Sequence, residues 1–291
     1  MNKLPFLSAD SAAAPPPQPP SWVLITGGAA RLGKALCLAF ADAGWNVVLH
    51  YRHSHAAAQQ VQALVQAKGQ QCTLLQADLA QPHAAQQLLA DCAMALGGQP
   101  LRCVVNNASQ FEPDTAATAQ AQGLQAHWQT NTATPLLLGN GLLAWAQQHA
   151  SPAPGWFSVL HILDQKVHNL NPDYFSYTVS KLALERSVAL QAQALAPWVR
   201  VCGISPGLMF LSGPQTQDNF DRASLVNLLQ APIDPAQVAA SAVFVAETAA
   251  LNGCTLPVDN GQHLVPLGRD VMFAIETTLH GAGAGAQEPP L

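Results

Sequence analysis

The chain has 291 residues, of which 10% are charged and 49% hydrophobic, with a formal net charge of -5 at pH 7. It contains no basic block, which argues against a nucleic-acid or anionic-membrane surface, and its apolar runs are strand-sized, well short of the ~18 residues of a membrane span. A small-molecule ligand is therefore expected. Residues 1–20 contain a proline run and no continuous apolar stretch, so they read as a disordered extension rather than a signal peptide. Residues 281–291 read as a flexible tail, and residues 21–280 as one domain, because open α/β sheets of this size share one core. Six cysteines, at 37, 72, 92, 103, 202 and 254, form no CxxC pair and fit a reducing cytoplasm.

Trp22 to Thr26 is a short apolar run that leads into Gly27-Gly28-Ala29-Ala30-Arg31-Leu32-Gly33, and Lys34 to Ala43 has helical apolar spacing. Strand, glycine turn and helix form a phosphate-binding arrangement, because backbone N–H groups and the helix dipole face one anion. The same turn also serves merely to make a tight corner. A second strand, Trp45 to Tyr51, ends in Arg52, His53 and Ser54, where an NAD-binding fold keeps an acid for the ribose hydroxyls. Arg and Ser at that point suit a 2′-phosphate, so NADP(H) is the cofactor expected. His50, His53 and His55 are close enough to suggest a metal, but alternation along a strand end sends them to different faces, and no metal site is expected.

Helix Ala56–Lys68 and strand Gln71–Gln76 lead to Asp78, which reads either as an adenine contact or as a cap for the segment from Gln81. Helix Pro82–Leu96 and strand Leu101–Val105 lead to Asn106-Asn107-Ala108-Ser109-Gln110-Phe111, small polar residues at a strand end, where such sheets bind ligands. Phe111 reads as core or as an exposed stacking face. Leu124–Gln148 is expected as one long helix, with Asn131 an unfavourable mid-helix residue that invites a reason. Strand Trp156–Leu163, helix Ser176–Ala196 and strand Val199–Ile204 follow, then the break at Ser205-Pro206-Gly207. Residues 208–231 read as a mobile polar loop with one or two helical turns, suited to substrate selection. Helix Pro235–Ala249 and strand Cys254–Val258 complete a doubly wound, Rossmann-type α/β pattern of about seven parallel strands with helices on both faces.

Within this frame Tyr177 and Lys181 lie one turn apart on a helix face, where an ammonium stabilises a phenolate. Asp164 stands thirteen residues before Tyr177, at a strand end. Tyr and Lys at this spacing are also what a packed ring and a solvated amine look like, so the pair gains meaning only beside a cofactor site.

Thr26-Gly27…Gly33, Asn106-Asn107-Ala108, Asn131, Tyr177-x-x-x-Lys181 and Pro206-Gly207 stand in the order and spacing of the short-chain dehydrogenase/reductase family, which the chain resembles over about residues 21–263. The resemblance implies that Tyr177 is the proton donor, that Lys181 binds the nicotinamide ribose and lowers the Tyr pKa, and that Asn131 supports a water in a proton relay. Its cofactor contacts fall on Thr26, Gly27, Arg31, Leu32 and Gly33 in the glycine turn, on Tyr51 to Ser54 and Asp78, on Asn107, Ala108 and Ser109, and on Lys181, Pro206 and Gly207.

The position of Asp164 is normally a Ser that donates to a developing alkoxide. An ionised Asp repels that oxyanion, whereas a carboxyl relayed through a Tyr protonates the nitrogen left when hydride adds to a ring C=N bond. Here the chain resembles the pteridine reductases and the bacterial dihydromonapterin reductases. That likeness implies a pterin substrate contacted by Arg31, Ser109, Phe111, Asp164, Tyr177 and Leu208. A carbonyl reductase with protonated Asp164 and a catalytically silent dinucleotide-binding protein are the competing expectations. The family's pairing of its long helices across two-fold axes implies a homo-tetramer.

Overall fold

A computed structural model describes residues 21–149, 154–213 and 215–275; the expected extension and tail lie outside the described residues. Seven parallel strands form one sheet in the order β3-β2-β1-β4-β5-β6-β7: β1 Trp22–Ile25, β2 Asn46–Tyr51, β3 Cys72–Gln76, β4 Leu101–Asn106, β5 Phe157–Ile162, β6 Val199–Pro206 and β7 Thr255–Val258. Alternation along the strands sorts their side chains into two cores. Val23, Ile25, Val47, Leu49, Val105, Leu160 and Ile204 face helices α1 (Arg31–Asp42), α2 (His55–Ala67) and α8 (Pro235–Glu247). Leu24, Val48, Val104, Phe157, Val159 and Val201 face α3 (Ala84–Leu96), α5 (Thr134–Gln148) and α6 (Phe175–Leu195). With both faces covered, the strands are nearly continuous in apolar residues.

Strand order reverses between β1 and β4, so the connections leaving these two neighbours part in opposite directions and open a crevice at their carboxyl ends. Thr26 closes its floor. The Thr26 hydroxyl accepts from the backbone N–H of Asn107 (2.9 Å) and of Ala108 (3.0 Å), and the Asn107 amide donates back to Thr26 O at 2.9 Å.

The helix expected over Leu124–Gln148 is divided. It comprises α4 (Ala121–Trp128), a π-helical turn Gln129–Ala133 and α5, with Asn131 inside the turn. Pro135, in the first turn of α5, has no N–H to give to the carbonyl four residues back, at Asn131, so the regular ladder fails there. Residues 208–231 are less polar than expected: they contain α7 (Gln217–Ala223), capped by Thr216, and expose Leu225, Leu228 and Leu229.

Arg200 of β6 is buried, and its guanidinium donates to Gly155 O (2.7 Å), Val245 O (3.1 Å), Ala246 O (2.7 Å) and Leu251 O (2.8 Å). Two of these are last-turn carbonyls of α8, which have no partner within the helix. Arg200→Met keeps the stem but strands four acceptors, of which those at Val245 and Ala246 are buried and those at Gly155 and Leu251 partly so. It is expected to lower unfolding free energy by about 2–4 kcal/mol in a denaturant titration.

Candidate active site

A cleft of about 510 Å³ lies over the crevice and brings together the glycine turn, the ends of β2, β4, β5 and β6, and a segment near the carboxyl end. The turn is shaped by close backbone approach. A Cβ on Gly33 would stand 2.0 Å from the Gly27 carbonyl oxygen, and Gly27 itself has φ +66°. His50 holds the turn from below: its Nδ1 accepts from Gly27 N at 3.1 Å, while its Nε2 meets Ala77 O at 3.0 Å. This pattern requires a neutral ring protonated at Nε2, and burial depresses the His50 pKa accordingly. Helix α1 starts above the turn with neither a side-chain cap nor an acid in its first turn, so its N–H groups are available to an anion.

Asp164 stands just past β5 at the cleft wall. Its Oδ1 accepts from Lys166 N at 2.9 Å and its Oδ2 accepts from the Tyr177 hydroxyl at 2.7 Å. Burial raises the Asp164 pKa. Burial, followed by the Asp164 carboxylate, holds the Tyr177 phenol well above its usual range. The expectation that Lys181 lowers the Tyr pKa is corrected here, because desolvation and the neighbouring carboxylate dominate and keep the phenol protonated. Lys181 is buried, donates to Ile162 O at 2.7 Å, and lies 5.7 Å from the Tyr177 ring centre. Burial depresses its pKa to about 8.

Phe111 stacks on Tyr174 at 4.2 Å and meets Tyr177 edge-on at 4.7 Å, with part of its ring on the cleft. Asp114 anchors the start of α6 by accepting from Ser176 N at 2.9 Å and from the Ser176 hydroxyl. Arg31, with φ +49°, reaches across the cleft mouth to Leu211 O and lies 5.7 Å from the Phe210 ring centre.

Of the other expected residues, Gly27, Leu32, Gly33, Arg52, Asp78, Asn107, Ala108, Ser109, Pro206, Gly207 and Leu208 also line the cleft. Asp78 does so while accepting from Ala80 N at 3.1 Å, a local turn bond rather than the helix cap weighed for it, since α3 begins only at Ala84 behind His83. Five expected residues are placed elsewhere. Tyr51 is buried with its hydroxyl 2.6 Å from His55 Nδ1, His53 and Ser54 are exposed beyond the strand end, and Thr26 serves the floor already described. Asn131 is likewise a clamp. Its amide oxygen accepts from Gln110 N (2.7 Å) and lies 3.3 Å from Ser109 Oγ, whose single proton also faces Gln110 O at 3.3 Å, and its nitrogen donates to Gln110 O (2.9 Å) and Ser180 Oγ (3.0 Å).

Sequence reasoning missed the outer wall, made by Gln165, Lys166, Asp270, Val271 and Met272. Lys166 Nζ donates to Asn171 Oδ1 (2.8 Å), Asp173 O (3.0 Å) and Asp270 Oδ2 (3.0 Å), while Arg269 grips Asp173 through two bonds of 2.8 Å. These partners lie about a hundred residues apart in the chain, a pairing that no local pattern signals.

A family model described as enoyl-(acyl carrier protein) reductase matches residues 28–263, the span that carries the glycine turn, Asp164, Tyr177 and Lys181. The chain belongs to the short-chain dehydrogenase/reductase family. It is an oxidoreductase of that family. It is 32% identical over 247 residues to an uncharacterised oxidoreductase of Mycobacterium tuberculosis (strain CDC 1551 / Oshkosh), covering 82% of this chain and 90% of that protein. It is 26% identical over 242 residues to dihydromonapterin reductase of Escherichia coli (strain SMS-3-5 / SECEC), covering 83% and 96%. The crystal structure of FolM alternative dihydrofolate reductase 1 from Brucella canis, complexed with NADP, superposes with a TM-score of 0.77 at 30% identity over 84% of this chain and 94% of that one.

The residues present fit a dinucleotide: the turn admits no Cβ at Gly33, the first amides of α1 are uncapped, and Arg52 stands at the end of β2. Gly33→Ala must push the Gly27 carbonyl out of the turn, and NADPH binding in a fluorescence titration is expected to be lost.

Proposed function

We propose that the protein is an NADPH-dependent pteridine reductase, which adds hydride to a ring C=N bond of a dihydropterin. The bond of 2.7 Å between the Tyr177 hydroxyl and Asp164 Oδ2 carries this reading. When bound, the cofactor supplies the hydride. The glycine turn and the first amides of α1 hold its pyrophosphate, and Arg52 favours a 2′-phosphate over a free ribose hydroxyl. Lys181 places a cation beneath the reacting centre. The names of the Escherichia coli and Brucella canis relatives support pterin chemistry, and the NADP of the latter supports the cofactor.

Proton delivery separates a C=N substrate from a ketone. Hydride addition to a ketone develops an oxyanion, which Asp164 opposes whenever it is ionised. Addition to C=N leaves a basic nitrogen. Tyr177 gives that nitrogen its hydroxyl proton and is reprotonated by Asp164, whose raised pKa keeps the carboxyl protonated to higher pH than an exposed acid. Phe111 offers its ring to a flat substrate, where stacking contributes about 0.5–1.5 kcal/mol beyond area burial.

Asp164→Asn keeps the shape of the side chain and removes the carboxyl proton. It is expected to cut turnover of 7,8-dihydromonapterin by about 10²-fold while NADPH affinity holds. Because both members of the pair have raised pKa values, the parent enzyme is expected to keep its activity at low pH and lose it as pH rises through the pair's apparent pKa. If the parent turns over a ketone panel and not dihydropterins, the carbonyl reductase alternative replaces this one.

We also infer a homo-oligomer, a tetramer in the family's manner, in the cytoplasm. In support, α4 and α6 expose Leu124, Trp128 and Val179 around a shallow groove. Light scattering at micromolar concentration is expected to give four times the chain mass, and a monomer mass removes the proposal. Among the described residues no helix is long and apolar enough to cross a membrane.

A further inference from the structure

Helix α6 carries Tyr177 as its third residue and starts without a cap of its own. Tyr174, which precedes it, is in the left-handed conformation at φ +55° and its side chain takes none of the first N–H groups, so these need partners from elsewhere. The loop after β4 supplies them. Asp114 Oδ1 accepts from Ser176 N at 2.9 Å, Asp114 Oδ2 accepts from the Ser176 hydroxyl, and Asp114 O accepts from Phe175 N at 3.3 Å. A carboxylate at this point also meets the positive end of the helix dipole. The loop is braced in turn: Asn131 holds both main-chain groups of Gln110, and Glu112 N donates to Nε2 of the buried His127 at 3.3 Å. Residues 110–114 therefore form a strut between the π turn and the start of α6.

We infer that Asp114 is a positioning residue for proton transfer, which by capping α6 from outside sets the Tyr177 hydroxyl against Asp164; the inference rests on the proton-donor role proposed for Tyr177. The two partners come from different elements. On the β5 side Asp164 is fixed by Lys166 N at 2.9 Å and by the Ser205 hydroxyl, which donates to Asp164 O at 2.8 Å. On the α6 side the second turn is fixed by Asn131 and Thr132, which donate to Ser180 Oγ (3.0 Å) and Ser180 O (2.9 Å). The Ser180 bond to Tyr177 O, at 2.6 Å, lies within the helix and moves with it. The first turn is held by Asp114. Asp114 is not among the residues lining the cleft, so its effect on the reaction passes through Tyr177. Loss of the cap is therefore expected to loosen the first turn and admit water to the Asp164–Tyr177 bond, while Lys181, one turn further in and bonded to Ile162 O, stays in place.

The test compares kcat, KM and their pH dependence for 7,8-dihydromonapterin, NADPH Kd by fluorescence titration, and Tm, in the parent and three variants. Asp114→Ala removes the cap, Asp114→Glu keeps the charge but carries it one methylene out of place, and Asp114→Asn keeps the acceptor in place without the charge. The Ala and Glu variants are expected to lower kcat about 10- to 100-fold, the scale of a small misplacement, with KM and NADPH Kd nearly unchanged. Burial raises both members of the Asp164–Tyr177 pair, with Asp164 and Asp270 acting further on the phenol and Lys166 and Lys181 opposing the rise at the carboxyl. Water at the bond lowers the pair's apparent pKa, so in these variants activity is expected to be lost at lower pH than in the parent. Asp114→Asn is expected to restore kcat and the parent pH profile. If it behaves as Asp114→Ala does, the carboxylate acts by charge and the inference is overturned. A fall in Tm with kcat and pH profile unchanged in the Ala and Glu variants also overturns it and leaves Asp114 a stabilising cap. Should Asp114→Ala not fold, the contrast between the Glu and Asn variants decides. If the parent reduces a ketone and no dihydropterin, the pterin reading falls and the same comparison on that ketone decides this inference. If Tyr177→Phe retains the parent turnover, the donor role fails and this inference fails with it.

Discussion

The cleft wall is organised around one desolvated hydrogen bond, from the Tyr177 hydroxyl to Asp164 Oδ2. In water a carboxyl loses its proton near pH 4 and a phenol keeps its own until about pH 10. Inside the cleft wall both pKa values are raised, chiefly because low dielectric penalises each charge; the Asp164 carboxylate adds to the rise at Tyr177, while the Tyr177 hydrogen bond offsets part of the rise at Asp164. Keeping water away requires several elements at once. Strand β5 brings Asp164 to the crevice, α6 brings Tyr177, Asp114 fixes where α6 begins, and Phe111 lies across the ring edge.

Electrostatics around that proton are balanced by two lysines with different duties. Lys181 donates to a β5 carbonyl, burial depresses its pKa to about 8, and the Asp164 carboxylate opposes that shift. Lys166 is enclosed by acceptors and ties the loop after β5 to the segment near residue 270. Two cations of like chemistry are thus divided into one that faces the ligand and one that holds the wall.

Most of the sheet was legible because both faces are covered, so that the central strands are rich in apolar residues and interrupted only singly, as at Arg102, Ser158, His161 and Arg200. The glycine turn, Asp164, Tyr177 and Lys181 were legible for a related reason: each occupies a strand end or a helix start, where local spacing carries the information. The division of the helix through Asn131 was not read, although Pro135 is the signal for it, because a proline one residue into a new helix and a proline after a π turn look alike in sequence. Tyr51 and Thr26 sit where ligand contacts were expected, yet their hydroxyls are used within the protein, and sequence cannot say which partner a hydroxyl takes. The outer wall escaped entirely, since Arg269 and Asp270 meet their partners only after the last strand has been laid down.

The two ion pairs of that wall differ in their contact with solvent. The Arg269 side chain is 52% exposed, whereas the Lys166 side chain is 3% exposed. Dissolved ions screen charges they can approach and leave enclosed pairs almost untouched. Rising ionic strength therefore loosens the Arg269–Asp173 pair at the rim while the Lys166 anchor beneath it stays fastened, so salt acts on the edge of the outer wall more than on its base.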